Sequence, residues 1–137
     1  MSQRYMLDTS VVSHIMQGRD AELLAHLTKV PVGLVVMSSV TLAELEYGLH
    51  CKGRPPRLRN ALTQVLLRID VLPWDEDVAT SYGEFCATLE AQGINLNYFD
   101  MMIAAHAVAV NAILVSRDKA FAQLPAGENQ NLRLEIW

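Results

Sequence analysis

The sequence has 137 residues, of which 51% are hydrophobic, and a formal net charge of -4. Domains cluster near roughly 100 to 150 residues, so we expect residues 1–137 to form a single domain. The hydrophobic content excludes a disordered chain. The excess of acidic residues excludes a general attraction to nucleic acid or anionic lipid, so any such affinity must be local.

Several classes of protein are disfavoured by motifs that the sequence lacks. No apolar run reaches the roughly 18 residues that span a bilayer, and residues 1–7 lack the apolar segment of a secretory signal, so we expect a cytoplasmic protein without membrane association. The patterns GxGxxG, GxxxxGK[ST], GxSxG and HExxH are absent. The histidines have no ligand spacing, and His106, on an apolar helix, is expected to be packed rather than catalytic.

Five short apolar runs predict strands, and helical patterns separate them. The predicted strands are Tyr5 to Leu7, Leu34 to Met37, Val71 to Leu72, Ile113 to Val115 and Leu132 to Ile136. The predicted helices are Val11 to Gln17, Ala21 to Leu27, Ser39 to Leu49, a stripe of Leu58, Leu62, Val65 and Ile69, a segment from the N-cap Asp75 to Gly93, and Asp100 to Asn111. This alternation predicts an α/β fold with a mainly parallel sheet of about five strands, covered by helices on both faces.

Acidic residues stand where the predicted strands end. Asp8 follows the first strand, Glu44 lies in the first two turns of the helix after the second strand, and Asp118 follows the fourth. Asp100 opens the helix that precedes the fourth strand. Because crossovers are right-handed and ligands bind beyond the carboxyl ends of parallel strands, we expect these four carboxylates to meet at one edge of the sheet.

A cluster of four carboxylates indicates a metal site. Two carboxylates about 4 Å apart repel by roughly 4 kcal/mol at an effective dielectric near 20. A divalent cation removes this cost, and an all-oxygen ligand set favours Mg²⁺ or Mn²⁺ over zinc. Such an ion can lower the pKa of water and neutralise a phosphate, so the sequence predicts nuclease-like phosphodiester hydrolysis.

Each acidic residue also has a purely structural interpretation. Asp8 and Asp100 could be helix N-caps, Asp118 could be a turn residue, and Thr41 to Glu44 matches the T-x-x-E capping box. Each alternative is reasonable by itself, but together they require four coincidences. Glu46, two positions after this box, lies on another face of the helix and cannot share the site.

A second class of protein also holds Mg²⁺ on Asp residues at strand ends, namely the phospho-acceptor receiver domains of signalling proteins. Asp75, Asp8 and Lys119 outline such a site. The receiver fold requires an adjacent acidic pair after the first strand, whereas Thr9 follows Asp8 here. The receiver therefore stays the alternative interpretation.

Four separated motifs resemble those of VapC toxins of the PIN-domain ribonuclease family. They are MLDT at residues 6–9, SVTLAELEYG at 39–48, FDMMIAAHA at 99–107 and LRLEIW at 132–137. The resemblance implies a PIN-like three-layer α/β/α domain and an endoribonuclease that depends on Mg²⁺ or Mn²⁺. It implies that the catalytic and metal-binding acids are Asp8, Glu44, Asp100 and Asp118, with Thr9, Ser10 and Ser116 beside them. Relatives usually have Asn where Ser10 stands.

The resemblance also implies partners and a target. It implies the toxin of a type II toxin-antitoxin pair, inhibited by a VapB antitoxin that supplies any DNA binding and forms higher hetero-oligomers with the toxin. It implies cleavage of RNA within the anticodon loop of initiator tRNA, and thereby inhibition of translation. The high apolar fraction indicates partner surfaces, so we also expect a homodimer.

Basic residues are concentrated in one part of the acidic chain. Lys52, Arg54, Arg57, Arg59 and Arg68 lie within 17 residues. Such clusters are usually solvated faces, but we expect RNA contact from Arg54, Arg57 and Arg59 and from Arg117, which could pair with Asp118 or hold a phosphate. The loop from Pro125 to Asn131 is longer than is usual in the family and has no predicted role.

Overall fold

The computed structural model describes residues 3–124 and 132–137, so the predicted loop at 125–131 lies outside the described residues. The strands are β1 (Tyr5–Leu7), β2 (Val35–Ser38), β3 (Asp70–Leu72), β4 (Ile113–Val115) and β5 (Arg133–Glu135). The helices are α1 (Thr9–Gln17), α2 (Ala21–Lys29), α3 (Ser39–Cys51), α4 (Pro56–Arg68), α5 (Glu76–Ala91) and α6 (Tyr98–Ala109), with a 3-10 helix at Lys119–Gln123. Each predicted strand and helix is present, and the ends differ by at most two residues.

The five strands form one sheet in the order β3-β2-β1-β4-β5, and every neighbouring pair is parallel. The predicted α/β class with a parallel sheet is confirmed. Strand β1 is central. Strands β2 and β3 lie on one side of it, and β4 and β5 lie on the other side. The carboxyl ends of β1 and β4 therefore form the topological switch point of the sheet.

Helices cover both faces of the sheet, as a three-layer fold requires. In β1, Met6 and Leu7 are both fully buried but point to opposite faces, because successive side chains of a strand alternate. Met6 belongs to a core with residues of α5 and α6. Leu7 belongs to a second core with residues of α1, α2 and α4. Burial on both faces explains why the strands read as continuous apolar runs.

Side-chain caps fix where several helices begin. Asp8, Asp20 and Asp75 each accept a hydrogen bond from the backbone N–H three residues further on, and so cap α1, α2 and α5. The predicted N-cap role of Asp75 is confirmed. Helix α5 ends before Gly93, whose φ of 75° lies in the left-handed region that favours glycine.

Helix α6 begins two residues earlier than predicted. Asn97 accepts a hydrogen bond from the backbone N–H of Asp100 at 2.9 Å and is the N-cap, so Tyr98 is the first helical residue. The prediction that Asp100 opens or caps this helix is wrong. Asp100 instead lies in the first turn, where the positive end of the helix dipole favours a carboxylate.

The helices of the described residues are short or amphipathic. Across residues 3–124 and 132–137, none of them combines the length and the apolar character that crossing a bilayer requires.

Candidate active site

The switch point of the sheet holds polar side chains at the ends of β1 and β4. Asp8 directly follows β1, and Ser116 directly follows β4. Their backbones are tied together across the gap, since the N–H of Asp8 donates to the carbonyl of Val115 at 3.1 Å. Ligands of open α/β sheets bind at this kind of position, so the topology itself marks the candidate site.

Asp8 is only 4% exposed, and both of its carboxylate oxygens accept hydrogen bonds. Oδ1 accepts from the N–H of Val11 at 2.9 Å, which caps α1, and Oδ2 accepts from the hydroxyl of Ser116 at 2.5 Å. Burial raises the pKa of Asp8, the hydrogen bond from Ser116 opposes this, and the charge of Asp118 adds to it. Asp8 is thus both an N-cap and a buried acid at the switch point, and the two roles use different oxygens.

Glu44 turns its carboxylate toward the start of α1. Its Oε1 accepts a hydrogen bond from the hydroxyl of Thr9 at 2.5 Å, and this hydroxyl lies 3.3 Å from the hydroxyl of the buried Thr41. The capping-box interpretation of Glu44 is wrong, because Ser38 caps α3 by accepting from the N–H of Val40. Glu44 lies in the second turn of α3, where its carboxylate contacts Thr9 at the start of α1 and does not cap the helix.

Asp100 connects the four predicted acids electrostatically. Its Oδ2 accepts a hydrogen bond from the side-chain amide of Asn97 at 2.7 Å. Burial raises the pKa of Asp100, and the charges of Asp118, Asp8 and Glu44 raise it further, to about 6. The structure therefore brings the four carboxylates close enough together to influence one another.

Asp118 is exposed and is linked to Asp8 through Ser116. The backbone N–H of Asp118 donates to the Ser116 hydroxyl oxygen at 3.0 Å, and the same hydroxyl donates to Asp8. Oδ1 of Asp118 accepts from the N–H of Ala120 at 2.8 Å and caps the 3-10 helix. One serine thus fixes the positions of two of the four acids.

The four acids offer only oxygen donors, which suit a hard divalent cation. Within residues 3–124 and 132–137, no group of three or more His, Cys, Asp or Glu side chains is arranged to hold a metal ion. Mg²⁺ sites commonly use one or two carboxylates and keep several waters, so a third direct ligand is not required. The oxygen donors of the residues present are chemically compatible with such a site.

The three smaller residues that the resemblance placed beside the acids differ in their contacts. Thr9 donates to Glu44 and Ser116 donates to Asp8, as described above. Ser10 is exposed, and its side chain makes no hydrogen bond to the described residues. Its carbonyl oxygen accepts from Nδ1–H of His14 at 2.8 Å. Ser10 is therefore part of the α1 surface and not of the hydrogen-bonded site.

The predicted basic cluster separates into paired and unpaired residues. Arg59 forms an ion pair with Glu46 at 2.7 Å, which also confirms that Glu46 faces away from the site. Arg68 donates to two backbone carbonyls at the end of α2. Arg54 and Arg57 are exposed and form no ion pair with any described residue.

Arg117 has a structural partner of its own. Its Nη1 pairs with Asp20 at 2.5 Å, and its Nε donates to the carbonyl oxygen of Trp137 at 2.8 Å. These contacts join the end of β4 to α2 and to the C-terminal residue. Arg117 therefore does not pair with the neighbouring Asp118.

Two further residues have structural roles. Asp75 is exposed and caps α5, so its position needs no phospho-acceptor chemistry. His106 is fully buried, with Nδ1 2.8 Å from the hydroxyl oxygen of Ser38, and burial lowers its pKa to about 4. The prediction of a packed histidine is confirmed.

Two residues that contact the site were not predicted from the sequence. Asn97 stands three positions before Asp100, which is the spacing of a helix cap, so the sequence did contain its signal. Thr41 lies three positions before Glu44 and therefore on the same face of α3. Only the contact between α3 and the start of α1 gives Thr41 its role, and the sequence does not specify that contact.

Comparison with known proteins identifies the family. The PIN domain model matches residues 5–127. Ribonuclease VapC2 of Haemophilus influenzae is 33% identical, over 98% of this chain and 98% of the relative. The tRNA(fMet)-specific endonuclease VapC of Shigella flexneri is also 33% identical, with the same coverage. A chain in the crystal structure of VapBC2 from Rickettsia felis, bound to a promoter DNA fragment, superposes with a TM-score of 0.86 at 29% identity, covering 98% of this chain and 99% of that one. This chain therefore belongs to the PIN-domain family, as one of its VapC ribonucleases.

Proposed function

We propose that this chain is a Mg²⁺- or Mn²⁺-dependent endoribonuclease and the toxin of a VapBC module, acting in the cytoplasm as a single domain. One observation carries this proposal: the buried Asp8 lies at the switch point and is linked through Ser116 to Asp118, and burial together with the charges of Asp118, Asp8 and Glu44 raises the pKa of Asp100 to about 6. A protein gains no stability from such repulsion. A bound cation would offset this repulsion and could assist the cleavage of a phosphodiester. Membership in the VapC ribonucleases supports the same activity.

We assign the metal to the acidic site, defined as Asp8, Glu44, Asp100 and Asp118. When bound, the ion supplies positive charge that stabilises charge developing on a phosphate, and it makes water more acidic. Asp8 is the most buried of the four acids and lies at the switch point itself. Asp118 is exposed and faces solvent, where an RNA phosphate can approach.

The chain's own polar groups orient these acids. The contacts run from the Ser116 hydroxyl to Asp8, from the Thr9 hydroxyl to Glu44, and from the Asn97 amide to Asp100. Outer contacts of this kind commonly matter by about 10- to 100-fold in metal affinity or activity. We therefore regard Ser116, Thr9 and Asn97 as positioning residues.

The four arginines predicted to contact RNA are not equally available. Arg54 and Arg57 are exposed, so they can meet a phosphate without leaving a partner in the described part of the chain. Arg59 and Arg117 would have to give up ion pairs with Glu46 and Asp20. We therefore keep Arg54 and Arg57 as the RNA-contact residues and give Arg59 and Arg117 a structural role first.

The substrate that we propose is the anticodon loop of initiator tRNA. The Shigella flexneri relative, 33% identical over 98% of both chains, is named a tRNA(fMet)-specific endonuclease. A loop also suits the site, because unpaired nucleotides can be splayed toward acids at the edge of a sheet, whereas a duplex cannot. Cleavage of this tRNA would stop translation.

We propose that a VapB antitoxin is the partner and that any DNA binding belongs to it. The Rickettsia felis structure is a VapBC2 complex bound to promoter DNA. A basic side chain of the antitoxin would relieve the repulsion among the acids in the way a cation does. Exposed apolar side chains such as Tyr47, Leu67 and Ile136, which are 73%, 74% and 74% exposed, offer surface for a homodimer and for hetero-oligomers with antitoxin.

The proposal is tested by cleavage of cellular RNA. The purified chain is incubated with total RNA and Mg²⁺ or Mn²⁺, and 5′ ends are mapped. We expect cuts within the anticodon loop of initiator tRNA, abolished by a chelator and by Asp8→Asn. Asp70→Asn is the matched control, because Asp70 is an exposed aspartate at the amino end of β3, opposite the acidic site.

Each outcome of this test has a clear meaning. Undiminished cleavage by Asp8→Asn would exclude the acidic site as the catalytic centre. Cleavage that continues in the chelator would exclude the metal. Specific cuts in another RNA would keep the ribonuclease and replace its proposed target.

A further inference from the structure

A groove of about 310 Å³ opens beside the acidic site. It lies between α1, α3 and α4, and its wall is built from one face of each helix. Thr9 and Glu44, which are hydrogen-bonded to each other, line it at one end. The groove is therefore continuous with the acidic site and does not form a separate cavity.

The direction of the groove follows from the spacing of residues along α3. Glu44, Gly48 and Lys52 are four residues apart and lie on one stripe of that helix, and all three line the groove. Eight residues of helix correspond to about 12 Å, so the groove runs roughly this distance from the acid Glu44 to the cation Lys52. A short single strand can span it.

Three basic side chains line the groove: Arg19, Lys52 and Arg57. None of them makes an ion pair or a side-chain hydrogen bond with any residue in 3–124 or 132–137. Arg59 and Arg117 do not line the groove, and they pair with Glu46 and Asp20. The cations around the groove are thus left for a ligand that carries negative charge.

Gly48 keeps the middle of the groove open. It lies in the interior of α3, where glycine costs roughly 1 kcal/mol relative to alanine. A Cβ added at Gly48 would meet no atom within 4 Å, so neither packing nor backbone conformation demands glycine there. A larger side chain at this position would project into the groove without straining the helix.

The remaining wall is largely apolar, with Met16, Leu45, Leu49 and Leu58 among its residues. An apolar wall below cations suits a nucleotide, since a base can pack on the wall while its phosphate meets a basic side chain. An apolar peptide would use the same wall but would leave the three cations unpaired. Charge complementarity therefore favours RNA over peptide.

We propose that the single-stranded RNA next to the scissile phosphate lies in this groove, with its phosphates on Arg19, Lys52 and Arg57. This inference rests on the proposed ribonuclease function and adds the path of the substrate. The groove would then bind the RNA segment on one side of the scissile phosphate. Its acidic end meets the scissile phosphate, and its basic end lies about 12 Å away.

Binding without cleavage tests the groove separately from the activity. A fluorescent anticodon stem-loop RNA is titrated in Ca²⁺ with the wild type, Lys52→Ala/Arg57→Ala and Gly48→Leu. The charge-matched control is Lys29→Ala/Arg133→Ala, because neither residue lines the groove and Arg133 lies at the amino end of β5, opposite the acidic site. We expect the groove double variant to bind about tenfold more weakly, and the slope of log affinity against log salt to become shallower by roughly 0.7 for each phosphate that is no longer neutralised. Gly48→Leu should weaken binding by steric exclusion at unchanged salt slope, and circular dichroism checks its fold.

The result that overturns the proposal is equal affinity and equal salt slope for the groove variants and the Lys29→Ala/Arg133→Ala control. Weaker binding of an antitoxin peptide by Gly48→Leu, with RNA binding intact, would also overturn it and would make the groove a peptide site. If the wild type binds RNA in the groove but cuts none in Mg²⁺ or Mn²⁺, the proposed function fails while the groove stands.

Discussion

At the scale of single residues, the negative charge of Asp100 is favoured by some of its neighbours and disfavoured by others. The side chain lies in the first turn of α6, where the helix dipole and the Asn97 amide favour its charge. Burial and three neighbouring carboxylates disfavour the same charge, and together they raise its pKa to about 6. Asp100 is therefore a residue whose ionisation makes the folded protein less stable until a cation is present.

We predict that Asp100→Asn stabilises the metal-free protein at neutral pH. Because the pKa of Asp100 is raised on folding, the folded state binds more protons than the unfolded state between pH 4 and 6, and stability falls as pH rises through this window. Asparagine removes the effect. After allowance for solvent screening of this partly exposed group we expect about 1 kcal/mol, or roughly 3–5 °C in Tm, measured calorimetrically in chelator at pH 7.5.

The pH dependence provides the control for this prediction. At pH 4 the advantage of Asp100→Asn should disappear, since Asp100 is then protonated in the wild type as well. His106 has the opposite dependence, because its lowered pKa costs stability as pH falls from about 6.5 to 4. That contribution is common to both proteins and cancels in the difference. An advantage that is the same at pH 4 and pH 7.5 would contradict the electrostatic explanation.

The sequence predicted the acids better than it predicted what holds them. The proximity of Asp8, Glu44, Asp100 and Asp118 could be predicted because the strand pattern places them at one edge of the sheet. The link from Thr9 to Glu44 could not be found, because it depends on how α3 packs against the start of α1. The resemblance placed Ser10 beside the acids, but Ser10 is exposed in the structure. Which side chains of the first turn of α1 face the site depends on that same packing.

At the scale of elements, helix ends decide where the site residues lie. Asn97 caps α6 with its side-chain oxygen and donates its amide to Asp100, so one residue both starts the helix and orients an acid. The prediction from sequence started this helix at Asp100, because aspartate is also a good cap. Asn97 and Asp100 are both good capping residues, and the local sequence does not decide which of them caps α6.

We predict that Asn97→Ala lowers the free energy of unfolding by about 1 kcal/mol, the usual value of an N-cap, as measured by urea denaturation. Cleavage should fall as well, because Asp100 loses the amide that orients it. Asn95→Ala is the control, since Asn95 is exposed and lies outside the helix. Equal midpoints for the two variants would mean that Asn97 does not cap α6 in solution.

At the scale of the whole molecule, an acidic chain must bind an acidic substrate. The net charge of -4 repels RNA at long range, and the acidic site repels it at short range. The fold separates the two kinds of charge locally. The acids lie together at the carboxyl edge of the sheet, and unpaired basic side chains line the groove beside them. Composition predicted the repulsion, but only the packing of α1, α3 and α4 shows which cations compensate for it.

The last prediction concerns the coupling between metal and global stability. A ligand that binds only the folded state stabilises it by about 2.7 kcal/mol at a free concentration one hundredfold above its Kd. We expect Mn²⁺ to raise the Tm of the wild type and of Asp70→Asn at pH 7.5, and to leave Asp8→Asn nearly unchanged. At pH 5 the gain should shrink, because protons then compete for Asp100, whose pKa is about 6. If Mn²⁺ stabilised Asp8→Asn as much as Asp70→Asn, the ion would be binding to the general negative charge of the protein and not to the acidic site.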